Sequence, residues 1–171
     1  MPDGGWGTIV SQRFSVALPL PDAAAWRVDD HTGRWLVAVH VPTKSMLLVR
    51  SFREGGLVGR KQCEDAARKL RPDLFGRDES ALTERRKLAV PEGFDTEVGF
   101  LVRRHAEALG GVAAAAGGRV RQCLVMAYAT RAEGPAAAEV IAERLAFVTD
   151  RVFGRVEERR IDDRVAPVAA P

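Results

Sequence analysis

No stretch of this chain offers about 18 consecutive apolar residues, so no segment reads as a transmembrane helix. A glycine period and a heptad array are both missing, which excludes collagen-like and coiled-coil structures. Tyrosine occurs once, and the aromatics are not interleaved with basic residues, so stacking on nucleic-acid bases is poorly supported. Cysteine occurs twice, as Cys63 and Cys123, too few for a thiolate zinc site and in no CxxC spacing. HExxH, EF-hand, Gly-x-Ser-x-Gly and P-loop patterns are all absent. The start is small and polar from Pro2 to Gly7, without a basic region followed by an apolar one. The expectation is either a cytosolic chain or a mature exported one whose leader has been removed.

What is present describes an ordinary globular domain. The 171 residues are 46% hydrophobic and 29% charged, a length that suits one domain able to bury a core without staples. The formal net charge is +3 and the sequence pI about 9.2, but the charge is not clustered. Residues 1–100 carry 15 basic and 14 acidic groups, and residues 101–171 carry 11 and 9. That even spread makes nucleic acid an improbable partner. The two cysteines allow one disulfide or two buried thiols. Buried thiols are the default, and export would favour the bridge. If bridged, a helix would be pinned to a central strand across a long loop, worth about 2–4 kcal/mol.

Hydrophobic periodicity then places the elements. Arg13 to Leu18 alternates as a first strand, ended by Pro19 and Pro21. Trp26 to Val28, Trp35 to Val41 and Ser45 to Phe52 form an antiparallel meander. Cys63, Ala66, Ala67 and Leu70 mark one face of a helix over residues 58–71, with Arg60, Lys61, Glu64, Asp65, Arg68 and Lys69 outside. Pro72 stops it, and Asp73 to Ser80 reads as an exposed loop. Leu82 to Val90 is a charged edge strand, Pro91 to Gly93 a turn, and Phe94 to Arg103 an alternating stretch with Val98, Phe100 and Val102 on one side. The small residues Gly110 to Ala116 read as a strand, Gly117–Gly118 as a hairpin turn, and Arg119 to Thr130 as a central strand. Gly134–Pro135 opens a last helix carrying Ile141, Leu145 and Val148, capped by Gly154. Arg155 to Arg164 adds a short strand or trails off. Strands, helix, strands, helix is an α+β order, a mostly antiparallel sheet with helices packed on it. The division expected is a flexible segment over 1–12, a single domain over 13–164 and a disordered tail over 165–171.

The candidate constellations are few. Asp29, Asp30 and His31, with His40 on the next strand, are the nearest thing to an acid–base or zinc cluster. A turn made by the aspartates and a satisfied core histidine account for the same residues. Ser45, Ser51 or Cys123 with His40 would be the nucleophile pairs, and Cys123 lies in an apolar run that disfavours a thiolate. Arg53 to Arg60 holds Gly55, Gly56 and Gly59 but reads as a strand-to-helix loop rather than a phosphate cradle. Between Arg50 and Lys87 there are 11 basic and 7 acidic residues. Arg53, Arg60, Arg68 and Arg71 are thus candidate contacts for an anionic partner, with Trp6 and Trp26 as candidate aromatic contacts. No cofactor and no metal site are expected.

The early Phe14-Ser-Val-Ala-Leu-Pro19, the paired strands, the helix, the second meander ending in Cys123–Ala129 and the long final helix together resemble the Mog1/PsbP-like fold. Trp26–Asp30, Cys63–Arg68, Gly93–Val98 and Arg121–Val125 also resemble small predicted lipoproteins of high-GC Gram-negative bacteria, although the leader and the lipid-bearing cysteine are not in this sequence. The resemblance implies an α/β sandwich and an accessory, adaptor or assembly role rather than catalysis. The functional expectation is a non-catalytic protein of the cell envelope that binds another protein, with a cytoplasmic location as the alternative. A module holding a small or lipidic ligand between sheet and helix, in room left by Gly110–Ala116, is the second reading. A hydrolase using His40 with Asp29 and Asp30 is the third.

Overall fold

Half-buried strands that alternate in exposure, such as Leu36–His40, and central ones made of nearly continuous small or apolar residues, such as Ala108–Arg119, give ten strands in the described part of the chain, residues 5–90 and 93–159 of a computed structural model. In chain order these are β1 (Gly7–Ser11), β2 (Val16–Leu20), β3 (Trp26–Asp29), β4 (Leu36–His40) and β5 (Ser45–Arg53). The helices α1 (Arg60–Leu70) and α2 (Pro72–Phe75) follow. Then come β6 (Thr83–Leu88), β7 (Asp95–His105), β8 (Ala108–Arg119), β9 (Gln122–Glu133), α3 (Ala137–Arg151) and β10 (Glu157–Glu158). A seven-stranded antiparallel sheet has the order β3-β4-β5-β9-β8-β7-β6, and a three-stranded sheet the order β1-β2-β10. This is the α+β architecture that the element order predicts.

Two cores flank the large sheet. On one face Leu36, Leu47, Val49 and Met126 meet the small sheet's Val16 and Leu18 and α3's Ile141, Leu145 and Val148. On the other, Leu48, Ala114, Ala116 and Val125 meet α1's Ala67 and α2's Leu74 and Phe75. The small residues of β8 are consumed by this packing. A Cβ on Gly111 would come 2.4 Å from Cγ2 of Ile141, and one on Gly118 would come 2.7 Å from the backbone of Gly59. Both helices therefore sit closer to β8 than ordinary side chains allow. The room expected for a ligand at Gly110–Ala116 is filled. Gly118→Ala is expected to push the start of α1 off the sheet and cost about 1–3 kcal/mol, measured as a lower urea midpoint.

Several sequence expectations are corrected. Gly7–Ser11 is a paired strand, not part of a flexible start, because β2 supplies its partner from Val16 to Leu20. The first strand accordingly begins at Val16 rather than Arg13, after a turn in which Ser15 has φ 55°. Gly117 and Gly118 lie inside β8, paired with Leu124 and Cys123, and the turn falls at Val120–Arg121. Val120 adopts φ 56°, a region that β-branched residues disfavour. Val120→Gly is expected to raise stability by about 0.5–1 kcal/mol, read by the same urea titration. Asp73 to Ser80 is not wholly an exposed loop: α2 buries Leu74 and Phe75. Gly154 does not cap α3; Val152 does, and Gly154 sits in a following 3-10 turn. The tail over 165–171 lies outside the described residues.

Candidate functional site

His40 ends β4 with its ring turned towards the core it shares with α3, and is 6% exposed. A buried imidazole needs partners for both nitrogens. Nε2 meets Oδ2 of Asp22 at 3.0 Å, and Nδ1 meets Oγ1 of Thr43 at 2.7 Å. Thr43 Oγ1 lies 2.8 Å from Ser45 Oγ, and Ser45 Oγ 2.8 Å from Thr130 Oγ1. Tyr128 donates to Ser45 at 3.0 Å, and Arg144 Nη1 donates to Thr130 Oγ1 and to the Arg131 carbonyl, each at 3.0 Å. One direction of donation satisfies the whole chain. Arg144 gives to Thr130, Thr130 to Ser45, Ser45 to Thr43, Thr43 to Nδ1, and Nε2–H to the Asp22 carboxylate. The guanidinium and the carboxylate at its ends fix the imidazole tautomer.

This network forms the polar wall of a pocket of about 260 Å³ between the sheet and α3, whose apolar walls include Trp26, Val140 and Phe147. Trp26 donates its indole N–H to the Pro21 carbonyl at 2.8 Å and packs at 5.0 Å against the His40 ring. Asp22 reaches His40 from a left-handed backbone position, φ 52°, which short polar residues tolerate.

The sequence pairing of His40 with Asp29 and Asp30 is not assembled. Asp29 accepts from the backbone N–H groups of His31 and Thr32. Hydrogen bonding by Thr32, chiefly its side chain, and by the His31 amide lowers the Asp29 pKa to about 2. Asp30 pairs with Arg13 at 3.3 Å. These aspartates build the turn, and the histidine's carboxylate comes from Asp22, eighteen residues upstream and on no motif. Ser51 is spent on the Phe14 carbonyl at 2.7 Å. Among the described residues no cluster of His, Cys, Asp and Glu is arranged to hold a metal ion.

The basic contacts read from the sequence do not form one free surface. Arg68 is buried, with Nη2 at 2.6 Å from Glu64 and Nη1 at 2.6 Å from Asp65. Arg60 pairs with Glu64 at 3.0 Å, and Arg71 with Asp73 at 2.7 Å. Only Arg53 of the four is exposed with no acidic partner among the described residues. Glu64, expected outside, is 5% exposed because Arg85 reaches across from the edge strand β6 to meet it at 2.7 Å. Trp6 is 50% exposed and stacks on Phe147 at 5.9 Å. Cys63 and Cys123 are joined by a disulfide that ties α1 to β9.

The second feature is an open stretch of sheet. α1 lies across β7, β8 and β9, and α2 across β8 and β9. Towards β3 and β4 the same face opens. Val39 is 37% and Val41 47% exposed, and Val37 and Met46 are half-buried. Strand alternation places Arg27 and Arg131 on this face, opposite or beyond Val39 and Ala129. Arg50 joins them, its guanidinium 5.9 Å over Trp35 and 5.4 Å over Phe52. Burial, then the charges of Arg34 and Arg13, push its pKa below the ordinary arginine value. Nothing local in the sequence says that the helices stop short of these valines, because coverage is set by elements distant along the chain.

No protein-family model matches this sequence, and the comparison with curated proteins returned no match either. Solved structures do share the fold. A mutant of the protein Mog1 superposes with a TM-score of 0.57 at 9% identity, over 90% of this chain and 96% of that one. A protein from Bacteroides thetaiotaomicron VPI-5482 superposes with a TM-score of 0.55 at 11% identity. This match covers 92% of the present chain but only 49% of that protein, so the present chain accounts for about half of the Bacteroides chain. The class is therefore the Mog1/PsbP-like α+β fold, in agreement with the resemblance drawn from the sequence. At these identities the likeness is one of fold.

Proposed function

We propose that this chain is a non-catalytic accessory protein of the bacterial cell envelope that acts by binding another protein. The observation that carries the reading is the open end of the large sheet, where Val37, Val39, Val41 and Met46 lie uncovered by the helices and beside Arg27, Arg50 and Arg131. Uncovered apolar surface with charges of both signs at its margin, the three arginines together with Asp29 opposite Val37 and Glu133 paired with Arg131, suits a partner with an apolar centre and a charged rim. The Cys63–Cys123 bridge supports an oxidising compartment. Among the described residues no helix is long and apolar enough to cross a membrane. The polar groups around His40 are hydrogen-bonded to one another, which supports a structural wall rather than a poised nucleophile.

A photo-crosslinking residue placed at Val39 in living cells tests the reading. The expected result is a discrete protein adduct that Glu139, exposed on α3, does not give. Equal labelling at both positions, or none at Val39, sinks the idea. The pocket beside Trp26 and Phe147 favours a second reading, a small-ligand module, because it lies between sheet and helix. Saturation of Trp26 fluorescence by a small molecule, unchanged by substitution at Val39, is the result expected of that reading.

A further inference from the structure

An open cavity of about 600 Å³ lies where the C-terminal end of α3 and the following turn meet the small sheet of β1, β2 and β10. Trp6 and Pro19 contribute apolar wall, and Arg151, Arg155 and Arg159 line it together with one carboxylate, Glu157. The backbone that carries these groups is held at several points. Arg151 ends α3, Arg155 ends the 3-10 turn Phe153–Arg155, and Glu157 pairs with Ala17 of β2. The Arg159 amide donates to the Ser15 carbonyl at 2.8 Å. All three arginines are exposed, and among the described residues none has a carboxylate within ion-pair distance. That contrasts with α1, where Arg60 and Arg68 are neutralised by Glu64 and its neighbours.

We propose that this cavity binds a phosphoryl group, with Arg151, Arg155 and Arg159 as its ligands and Trp6 against the organic part of the same molecule. Guanidinium groups match phosphate oxygens with paired, charge-assisted hydrogen bonds. A carboxylate has two oxygens and cannot engage three guanidiniums fully, whereas a phosphomonoester presents three terminal oxygens. Glu157 is the one repulsive group and would favour a ligand with a hydroxyl or ammonium beside its phosphate. The same chemistry belongs to a soluble phosphomonoester and to a phosphorylated lipid headgroup.

Two titrations separate those sources. One uses glycerol 3-phosphate, read by calorimetry; the other uses phosphatidylcholine vesicles doped with phosphatidic acid, read by co-sedimentation. Saturable binding of glycerol 3-phosphate supports a soluble ligand, and binding to the doped vesicles alone supports a headgroup. In either case Arg155→Gln and Arg159→Gln are each expected to weaken binding about tenfold, since a charge-assisted hydrogen bond is worth about 1.5–3 kcal/mol. Arg53→Gln, an exposed arginine outside the cavity, is expected to leave it unchanged. The substituted residues are exposed, and an unaltered thermal unfolding curve verifies that the variants fold. Binding of neither probe overturns the proposal. So does an Arg53→Gln loss as large as those at Arg155 and Arg159.

Discussion

Replacing Glu64 by alanine is expected to destabilise the protein by about 3–5 kcal/mol, because it takes a buried carboxylate from the buried Arg68 guanidinium and from the partly exposed Arg85 and Arg60. Glu64 accepts from Arg68 at 2.6 Å, Arg85 at 2.7 Å and Arg60 at 3.0 Å. Asp65 and Glu97 retain Arg68, Arg60 and Arg85 as partners, the last at 3.2 Å, which places the expected loss at the lower end of that range. Burial alone would raise the pKa of Glu64; the Arg85 hydrogen bond and the charges of Arg85, Arg68 and Arg60 outweigh it and hold it below the ordinary value. A carboxyl whose folded pKa is depressed binds its proton more readily in the unfolded chain. Its stabilisation is therefore complete above the unfolded pKa and disappears as pH falls through the folded one. Urea midpoints from neutral pH downward should fall in the wild type below the ordinary glutamate range. Glu64→Gln should show a flatter acid limb. A wild-type-like acid limb in Glu64→Gln would remove Glu64 from the account.

Removing the disulfide is the second large effect. Cys63 and Cys123 are 60 residues apart in sequence, and both are fully buried. Closing a loop of that length restricts the unfolded chain enough to contribute about 4 kcal/mol, as an upper expectation of the chain-entropy account. The double substitution Cys63→Ala, Cys123→Ala is expected to lower the unfolding free energy by about 2–4 kcal/mol. Reduction of the wild type should reproduce most of that loss. Intact mass after alkylation under unfolding conditions, on protein taken from its own cells, checks the bridge itself. Alkylation of both thiols without prior reductant would contradict both the bridge and the oxidising compartment it supports.

The elements were largely legible because their signals are local. The alternation of Phe14, Val16 and Leu18, which found only the middle of β2 because the strand runs on through Pro19 to Leu20, the dense β-branched run at Leu36–His40 and the apolar stripe of Ile141, Leu145 and Val148 each follow from local backbone geometry. Gly117–Gly118 misled for the same reason. A glycine pair is read as a turn, but these two glycines admit the backbone of Gly59 and the Thr96 side chain, which are contacts from far along the chain. Glu64 misled too: helical periodicity assigns it to the outside, and only the arrival of Arg85 from β6 makes an inside for it.

The fold class, most of the element order between Val16 and Arg151, and the pairing candidates Cys63 and Cys123 were thus legible in the sequence, all matters of short-range stereochemistry and residue supply. The tertiary structure alone decided which charges neutralise one another and which remain free. It brought Asp22 rather than Asp29 or Asp30 to His40, cancelled Arg60 and Arg68 against Glu64, and left Arg151, Arg155 and Arg159 facing one cavity. Charges interact through space at distances of a few ångströms, and those distances are set by chain crossings that no local pattern encodes.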